Sequence, residues 1–367
     1  MKSAVLVRRG APLVLALFFC APAFSASTDI SLTGRYQRHN LVSDGAVPAD
    51  HVDPNLVNAW GLAFNPYFAA WVADNGTGLA TLYDSAGVAQ SLVVQIPSAD
   101  ADSGGPVTGT VYSGSPDAFT VSKGSLSGPS RFLFATEDGV IAGWSPDVDT
   151  THAIRMVDNS GHDAIYKGIA LGAGGDGARL YATDFHNARV DVFDASFHPV
   201  MLSGGAFHDS HIPKGYAPFG IQNINGNLFV TYAKQDADRE DDVKGPGFGY
   251  VDIYDPNGVL LRRFASRGAL NAPWGVALAP AGFGRASNLL LIGNFGDGRI
   301  NAYDSVFGLP LGPLTNMHGR PITIDGLWGL AFGNGYLGQS VNTLFFTAGP
   351  DDEAHGLYGR IDPAKSQ

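Results

Sequence analysis

The chain has 367 residues, of which 45% are hydrophobic and 16% are charged, with 48 glycines and 22 prolines. This composition is too apolar for a disordered chain and too rich in turn-forming residues for a coiled coil. The net charge of −11 disfavours phosphate backbones and anionic membrane surfaces, so we expect no nucleic-acid partner.

The N-terminus has the pattern of a secretory signal peptide. Three basic residues precede an apolar segment over residues 12–19 that is too short to span a bilayer, and small residues suit cleavage after Ser25. We therefore predict a signal peptide over residues 1–25, no membrane span, and a periplasmic or extracellular location. Cleavage would remove three of the 23 basic residues and none of the 34 acidic ones, which leaves a net charge of −14.

The next predicted element is a single extended segment over residues 36–43, which has no partner strand nearby in the sequence. At the other end of the chain, the last repeat described below contains three strands and stops at Asp362. Pairing the early segment with that repeat would remove two exposed sheet edges at once. We therefore predict that residues 36–43 close the last blade of a ring.

Between these two ends, a motif of glycine followed by a short apolar run recurs six times. Each copy continues with a second apolar run, a turn of Gly, Asp or Asn, and a third run that usually ends in an aromatic residue and Asp. The six glycines are 48 to 59 residues apart, a length that holds four short strands. The anchor glycines are Gly61, Gly109, Gly168, Gly220, Gly275 and Gly329.

This repeat predicts an all-β fold, a six-bladed β-propeller with four-stranded antiparallel blades, formed as one domain by residues 26–367. The predicted blades cover about residues 57–100, 105–158, 164–212, 216–266, 271–316 and 325–362.

Four stretches carry a resemblance to known propellers: residues 58–65, 135–139, 181–194 and 232–255. Their pattern resembles the NHL/YWTD-type six-bladed propellers. More closely, the chain is similar to a group of exported bacterial propellers of unassigned function. The resemblance implies the fold and export, and it adds little about activity.

The residue before each anchor glycine should face the central tunnel at its top end. Four of these six positions are aromatic, Trp60, Phe219, Trp274 and Trp328, and a fifth is Lys167. In gluconolactonase-like propellers, which this fold resembles, the same positions carry oxygen ligands for an axial calcium ion, and indole rings cannot supply these. The aromatic ring could stack on a sugar or hold a quaternary amine. Alternatively, it plugs the tunnel and packs neighbouring blades.

The turns on the same face are acidic, and the turn of the fourth blade is the longest. Asp236, Asp238, Glu240 and Asp242 concentrate carboxylates there. Alternating carboxylates in a loop suit Ca²⁺, although the spacing is not that of an EF-hand. A solvated loop and a partner-docking loop are the alternatives.

These patterns predict an exported ligand-binding or interaction propeller that uses the aromatic ring and acidic rim of its top face. The partner could be a small molecule, a glycan or a protein. One alternative is a metal-assisted, lactonase-like hydrolase using a site at the rim, with Asp184 and His186 as weak catalytic candidates. The other alternative is a protein–protein scaffold.

Overall fold

The computed structural model describes residue 1, residues 35–175 and residues 177–364. Apart from Met1, the predicted signal peptide over residues 1–25 lies outside these residues. The first strands are β1 (Arg35–Ser43), β2 (His51–Val52), β3 (Ala59–Phe64), β4 (Ala70–Asp74), β5 (Leu79–Tyr83), β6 (Val94–Gln95), β7 (Val107–Tyr112), β8 (Thr120–Lys123), β9 (Leu126–Pro129), β10 (Phe132–Thr136), β11 (Val140–Trp144), β12 (Ile154–Asp158), β13 (Tyr166–Gly174) and β14 (Gly177–Asp184). The remaining strands are β15 (Arg189–Asp194), β16 (Tyr216–Ile224), β17 (Asn227–Lys234), β18 (Tyr250–Tyr254), β19 (Leu260–Ser266), β20 (Pro273–Leu278), β21 (Leu289–Asn294), β22 (Ile300–Asp304), β23 (Pro310–Pro313), β24 (Thr315–Asn316), β25 (Leu327–Phe332), β26 (Leu344–Ala348) and β27 (Leu357–Pro363).

The strands form six antiparallel sheets arranged as a six-bladed β-propeller, as the repeat predicts. From the axis outward the blades are β3-β4-β5-β6, β7-β10-β11-β12, β13-β14-β15, β16-β17-β18-β19, β20-β21-β22-β23 and β25-β26-β27-β1. We call the side on which the innermost strands begin the top face. The second strand of each blade runs antiparallel to the first, so it ends on the same face.

Glycine is required at all six anchor positions for the same structural reason. At each one, a Cβ atom would lie within 3.1 Å of a backbone atom in the innermost strand of the next blade. At Gly220 that atom is the carbonyl oxygen of Trp274, at 2.2 Å, and at Gly329 it is the carbonyl oxygen of Trp60, at 2.9 Å. Real Cβ atoms rarely tolerate such distances, so glycine permits the close approach of neighbouring blades. The contact from the sixth blade back to the first completes the ring.

The predicted closing strand is confirmed. β1 pairs antiparallel with β27, from Tyr36 opposite Pro363 to Ser43 opposite Leu357, with one irregularity between Asn40 and Val42. Tyr36 is buried, and its hydroxyl donates to the carbonyl of Phe283 in the fifth blade, at 2.8 Å. The N-terminal strand therefore joins the last blade to its neighbour as well as completing it.

Two blades depart from the regular pattern. The second blade carries an extra hairpin, β8-β9, between its first and second strands. The third blade has three strands, and its outer edge continues only as an isolated antiparallel bridge between Phe193 and Pro199. Proline has no backbone N–H to donate, which limits regular pairing there.

Apolar side chains pack between neighbouring blades. Between the first two blades, for example, Trp71 stacks on Phe132 with ring centroids 3.9 Å apart. Across the described ranges, no helix is long and apolar enough to cross a membrane.

Candidate functional site

The predicted aromatic ring lies at the top end of the tunnel, where its members contact one another. Trp60, Phe219 and Trp328 are at most 1% exposed. Trp60 stacks on Trp328 at 3.7 Å, and Phe295 stacks on Trp328 at 3.9 Å. We call this group, Trp60, Phe185, Phe219, Phe295 and Trp328, the aromatic plug. The burial of these rings agrees with the alternative that they plug the tunnel. Contact between a ligand and these rings stays a prediction.

Trp274 differs from the other members of the predicted ring because it is partly exposed. Its ring packs edge-on against Trp60 and Trp328, with centroids 6.4 and 5.9 Å apart. Its indole N–H donates to the backbone carbonyl of Lys167 at 2.9 Å. Trp274 therefore borders the aromatic plug without being enclosed by it.

Lys167 holds a buried positive charge directly above the plug. The residue is 2% exposed, and its Nζ lies 5.3 Å from the centroid of the Trp60 ring. Nζ also forms ion pairs with Glu137 Oε1 at 2.5 Å and Asp241 Oδ1 at 3.2 Å. Burial lowers the pKa of Lys167, but the two carboxylates outweigh that effect and hold the pKa above its usual value. Lys167 is therefore a fixed cation at neutral pH.

More acidic than basic groups surround this ammonium. We define the top-face cluster as Asn58, Asn75, Glu137, Lys167, Asp241, Asp242 and Glu353. Asn58 Nδ2 donates to Glu353 Oε2 at 2.7 Å, and Asn75 Nδ2 donates to Glu137 Oε2 at 2.8 Å. The cluster thus contains four carboxyl groups and one ammonium group.

Burial raises the pKa of two carboxyl groups of the top-face cluster. Burial raises the pKa of Asp242 to about 7, although Lys167 and Lys244 oppose the shift. Burial and the charge of Glu137 likewise raise the pKa of Glu353. Among the described residues, the buried Oδ2 atom of Asp242 has no hydrogen-bond partner. Such an unpartnered oxygen is an acceptor that a bound water molecule or a ligand donor would satisfy.

The backbone that carries Glu353 is unusual. Asp351, Asp352 and Glu353 are three consecutive non-glycine residues with φ values of 56°, 49° and 71°. Side chains disfavour this left-handed region by about 1–3 kcal/mol per residue, and such residues cluster at functional sites. The turn holds Glu353 against Asn58 in the top-face cluster.

The predicted calcium residues separate into two groups. Asp236 accepts a hydrogen bond from the Glu240 backbone N–H at 3.0 Å within its own loop, whereas Asp238 and Glu240 are exposed. Of the four, Asp242 belongs to the top-face cluster. In the part of the chain that the structure describes, no group of three or more His, Cys, Asp or Glu residues is arranged to hold a metal ion.

The two weak catalytic candidates have separate contacts. Asp184 is 0% exposed, and it accepts from the backbone N–H of Ile165 and from the side chains of Asn187 and Arg189, which fixes its turn. His186 Nε2 lies 2.9 Å from the guanidinium of Arg239. The structure therefore brings His186 to the acidic loop. It buries Asp184 at the end of β14.

Sequence reasoning identified Glu137 as one of several acidic rim residues, and it did not single out Asn75, Phe185 or Phe295. Asn75, Glu137, Phe185 and Phe295 share one position, directly after the last residue of a blade's second strand. Their side chains belong to the cluster or to the plug. This position is fixed relative to each second strand, so an alignment of the six repeats identifies it as a position of the top face.

Comparisons with known proteins define the family. No family model matches the chain. The uncharacterized protein R648 of Acanthamoeba polyphaga mimivirus is 35% identical over 328 residues, which cover 88% of this chain and 78% of R648. The uncharacterized protein L690 of the same virus is 33% identical over 361 residues, covering 94% and 92%. The chain belongs to the family of these two proteins. The resemblance to NHL/YWTD-type and exported bacterial propellers stays a prediction, since these relatives are viral.

Solved structures similar to this chain share the propeller fold. A protein of unknown function from Bacteroides thetaiotaomicron has a TM-score of 0.57 at 9% identity, covering 89% of this chain and 76% of its own. A streptogramin B lyase has a TM-score of 0.51 at 10% identity, covering 90% and 97%. A luciferin-regenerating enzyme has a TM-score of 0.50 at 15% identity, covering 84% and 92%. Identities this low establish the fold alone.

Proposed function

We propose that this protein is an exported ligand-binding propeller whose top-face cluster binds a cationic organic ligand, such as an amine or a guanidinium compound. The observation that carries the proposal is the set of four carboxyl groups around the ammonium of Lys167, with Lys244 as a second cation nearby and one buried oxygen of Asp242 left unpartnered. Export is supported by the signal-peptide pattern of residues 1–25. The net charge of the chain would also attract cations.

An organic cation fits the top-face cluster better than a calcium ion does. Glu137 and Asp241 already pair with Lys167, and Glu353 accepts from Asn58. Calcium takes six to eight oxygen ligands, and the described residues offer no prearranged group of that kind. A nitrogen donor needs only one or two acceptors, and charge-assisted hydrogen bonds of this type are strong. The free oxygen of Asp242 supplies such an acceptor.

Ligand-induced stabilisation tests this proposal directly. The purified protein, treated with chelator, is titrated with spermidine, choline, arginine amide and Ca²⁺ while thermal unfolding is followed. A ligand that binds the folded state at 100 times its Kd adds about 2.7 kcal/mol, which corresponds to a Tm increase of roughly 4 °C for a domain of this size. We expect a saturable increase with an organic cation that Asp242→Asn and Glu353→Gln each abolish.

A matched control is Asp117→Asn, which neutralises an exposed acid that follows the first strand of its blade and so lies on the opposite face. Its response should equal that of the unaltered protein. An increase with Ca²⁺ alone would replace the proposal with a metal site. No increase with any of the four ligands would contradict it.

A second candidate function, an enzyme with a general base at the rim, is favoured by the pKa of about 7 at Asp242. A general base works best when its pKa lies near the working pH. Two structures of similar fold are named as a streptogramin B lyase and a luciferin-regenerating enzyme. A panel of lactones and esters tests this candidate, since turnover should rise with pH through about 7 and disappear in Asp242→Asn.

A further inference from the structure

A cavity of about 580 Å³ occupies the tunnel on the far side of the aromatic plug from the top face. Its lining includes the anchor glycines Gly109, Gly275 and Gly329 and residues of all six innermost strands, β3, β7, β13, β16, β20 and β25. Its upper end lies at Trp274, beside the buried rings of Trp60 and Trp328. The volume lies in the range of small-molecule sites, about 300–1,000 Å³.

The cavity wall is uncharged, whereas the top-face cluster is rich in charged groups. None of the residues lining the cavity is charged. The innermost strands contribute aliphatic side chains such as Leu62, Ile169 and Val276, and aromatic rings such as Trp274 and Phe332. The fourth blade adds the uncharged amide side chains of Gln222, Asn223 and Asn225. Placing a charged group in such surroundings is costly, so the wall selects for a neutral molecule.

One polar group on the cavity wall lacks a partner. Thr110 lines the cavity and is 6% exposed, and its buried hydroxyl has no hydrogen-bond partner among the residues that the structure describes. A buried hydroxyl without a partner is unfavourable by about 1–3 kcal/mol. A ligand whose hydrogen-bonding group reached this enclosed hydroxyl, after a rotation of the Thr110 side chain, would remove that cost.

The loops that follow two of the lining strands, β3 and β25, carry exposed aromatic residues. Tyr67 is 74% exposed and Tyr336 is 47% exposed. The two loops are tied together, because Asn334 Nδ2 donates to the carbonyls of Asn65 at 2.6 Å and Phe68 at 2.8 Å. Exposed aromatic residues near a concave uncharged wall are a feature of many ligand entrances.

We propose that this cavity is a second binding site, which takes a compact neutral molecule with an aromatic or alicyclic body and one hydrogen-bonding group. The ring of Trp274 and the aliphatic wall would contact the body, and the Thr110 hydroxyl would meet the polar group. The site goes beyond the proposed function, because it lies on the opposite face and selects against the charge that the top-face cluster attracts.

Fluorescence of N-phenyl-1-naphthylamine, a neutral aromatic amine that emits in apolar surroundings, tests the proposal. We expect saturable binding at one site per chain. Ala331→Trp fills the cavity from its wall and should weaken binding at least tenfold. Thr110→Val keeps the shape but removes the hydroxyl, and should weaken binding about fivefold. If thermal unfolding shows that Ala331→Trp does not fold, Thr110→Val still tests the proposal.

Two controls separate the cavity from other binding. Phe307→Ser removes a side chain that is 74% exposed and does not line the cavity, and Asp242→Asn alters the top-face cluster. Both should bind the probe with unchanged affinity. The proposal is overturned if no saturable binding occurs, if Ala331→Trp folds and binds normally, if Thr110→Val binds normally, or if Phe307→Ser weakens binding as much as the cavity variants do.

Discussion

Replacing Asp242 with asparagine should stabilise the protein above neutral pH. Burial raises the pKa of this carboxyl from 3.8 to about 7 in the folded protein. Below pH 3.8 the group is protonated in both states and has no effect. Between pH 3.8 and 7 the unfolded chain ionises first, so the free energy of unfolding falls as pH rises. Above pH 7 the full destabilisation is present, and asparagine, which cannot ionise, removes it.

The magnitude follows from the size of the pKa shift. A shift from 3.8 to about 7 corresponds to an upper limit of about 4 kcal/mol. Asp242 is partly exposed, so solvent screens its charge and reduces this value. We expect Asp242→Asn to raise the free energy of unfolding by about 1–3 kcal/mol at pH 8. In a domain of this size that corresponds to a Tm increase of roughly 1–4 °C.

Thermal and urea unfolding at pH 4 and pH 8 measure the effect. The gain of Asp242→Asn should be present at pH 8 and nearly absent at pH 4. Asp117→Asn, which changes an exposed carboxyl, should differ little from the unaltered protein at either pH. A variant that is less stable at pH 8, or that gains equally at both pH values, would refute the reasoning. The stabilised variant should also lose its response to organic cations, which is the trade-off expected of a functional residue.

Three further predictions concern the fold. Tyr36→Phe removes a hydroxyl bonded to two backbone groups of the fifth blade and should lower the free energy of unfolding in urea by about 1–3 kcal/mol. Trp328→Ala leaves a cavity in the aromatic plug, and we expect a loss of about 3–5 kcal/mol by the same measurement. Gly220→Ala places a methyl group 2.2 Å from the carbonyl oxygen of Trp274. This substitution should lower the free energy of unfolding by about 1–3 kcal/mol and therefore lower Tm. Gly161→Ala meets nothing within 4 Å and should leave Tm unchanged, so equal effects at the two glycines would contradict the packing argument.

The fold could be predicted from the sequence because its constraint is local and repeats six times. Each anchor glycine is required where one innermost strand approaches the next, as at Gly220 and Gly329. That requirement recurs at a nearly constant spacing and is visible without any knowledge of distant contacts. Closure by residues 36–43 was predictable for a related reason, since an unpaired strand and an incomplete blade each expose an edge.

The candidate site was less predictable because it depends on contacts between blades. The sequence places Trp60 and Trp328 at the tunnel, but the second face of Trp328 is covered by Phe295, which lies in a different type of segment. Acidic residues of similar turns also have different roles. Asp184 ends its strand and is buried by turn contacts, whereas Glu137 follows its strand by one residue and pairs with Lys167. A shift of one residue reverses the direction of a side chain on a strand, which composition cannot reveal.

The aromatic plug explains how one tunnel can present two such different environments. Charged groups require water or partners, and the top-face cluster provides partners for Lys167 through Glu137 and Asp241. Below the plug, no lining residue is charged, so the buried rings form a boundary between the two regions. Trp274 lies at that boundary, because its N–H donates to the Lys167 carbonyl while its ring contributes to the cavity wall. In the two proposals, the top-face cluster would select a cation and the cavity a neutral molecule, and Trp274 borders both regions.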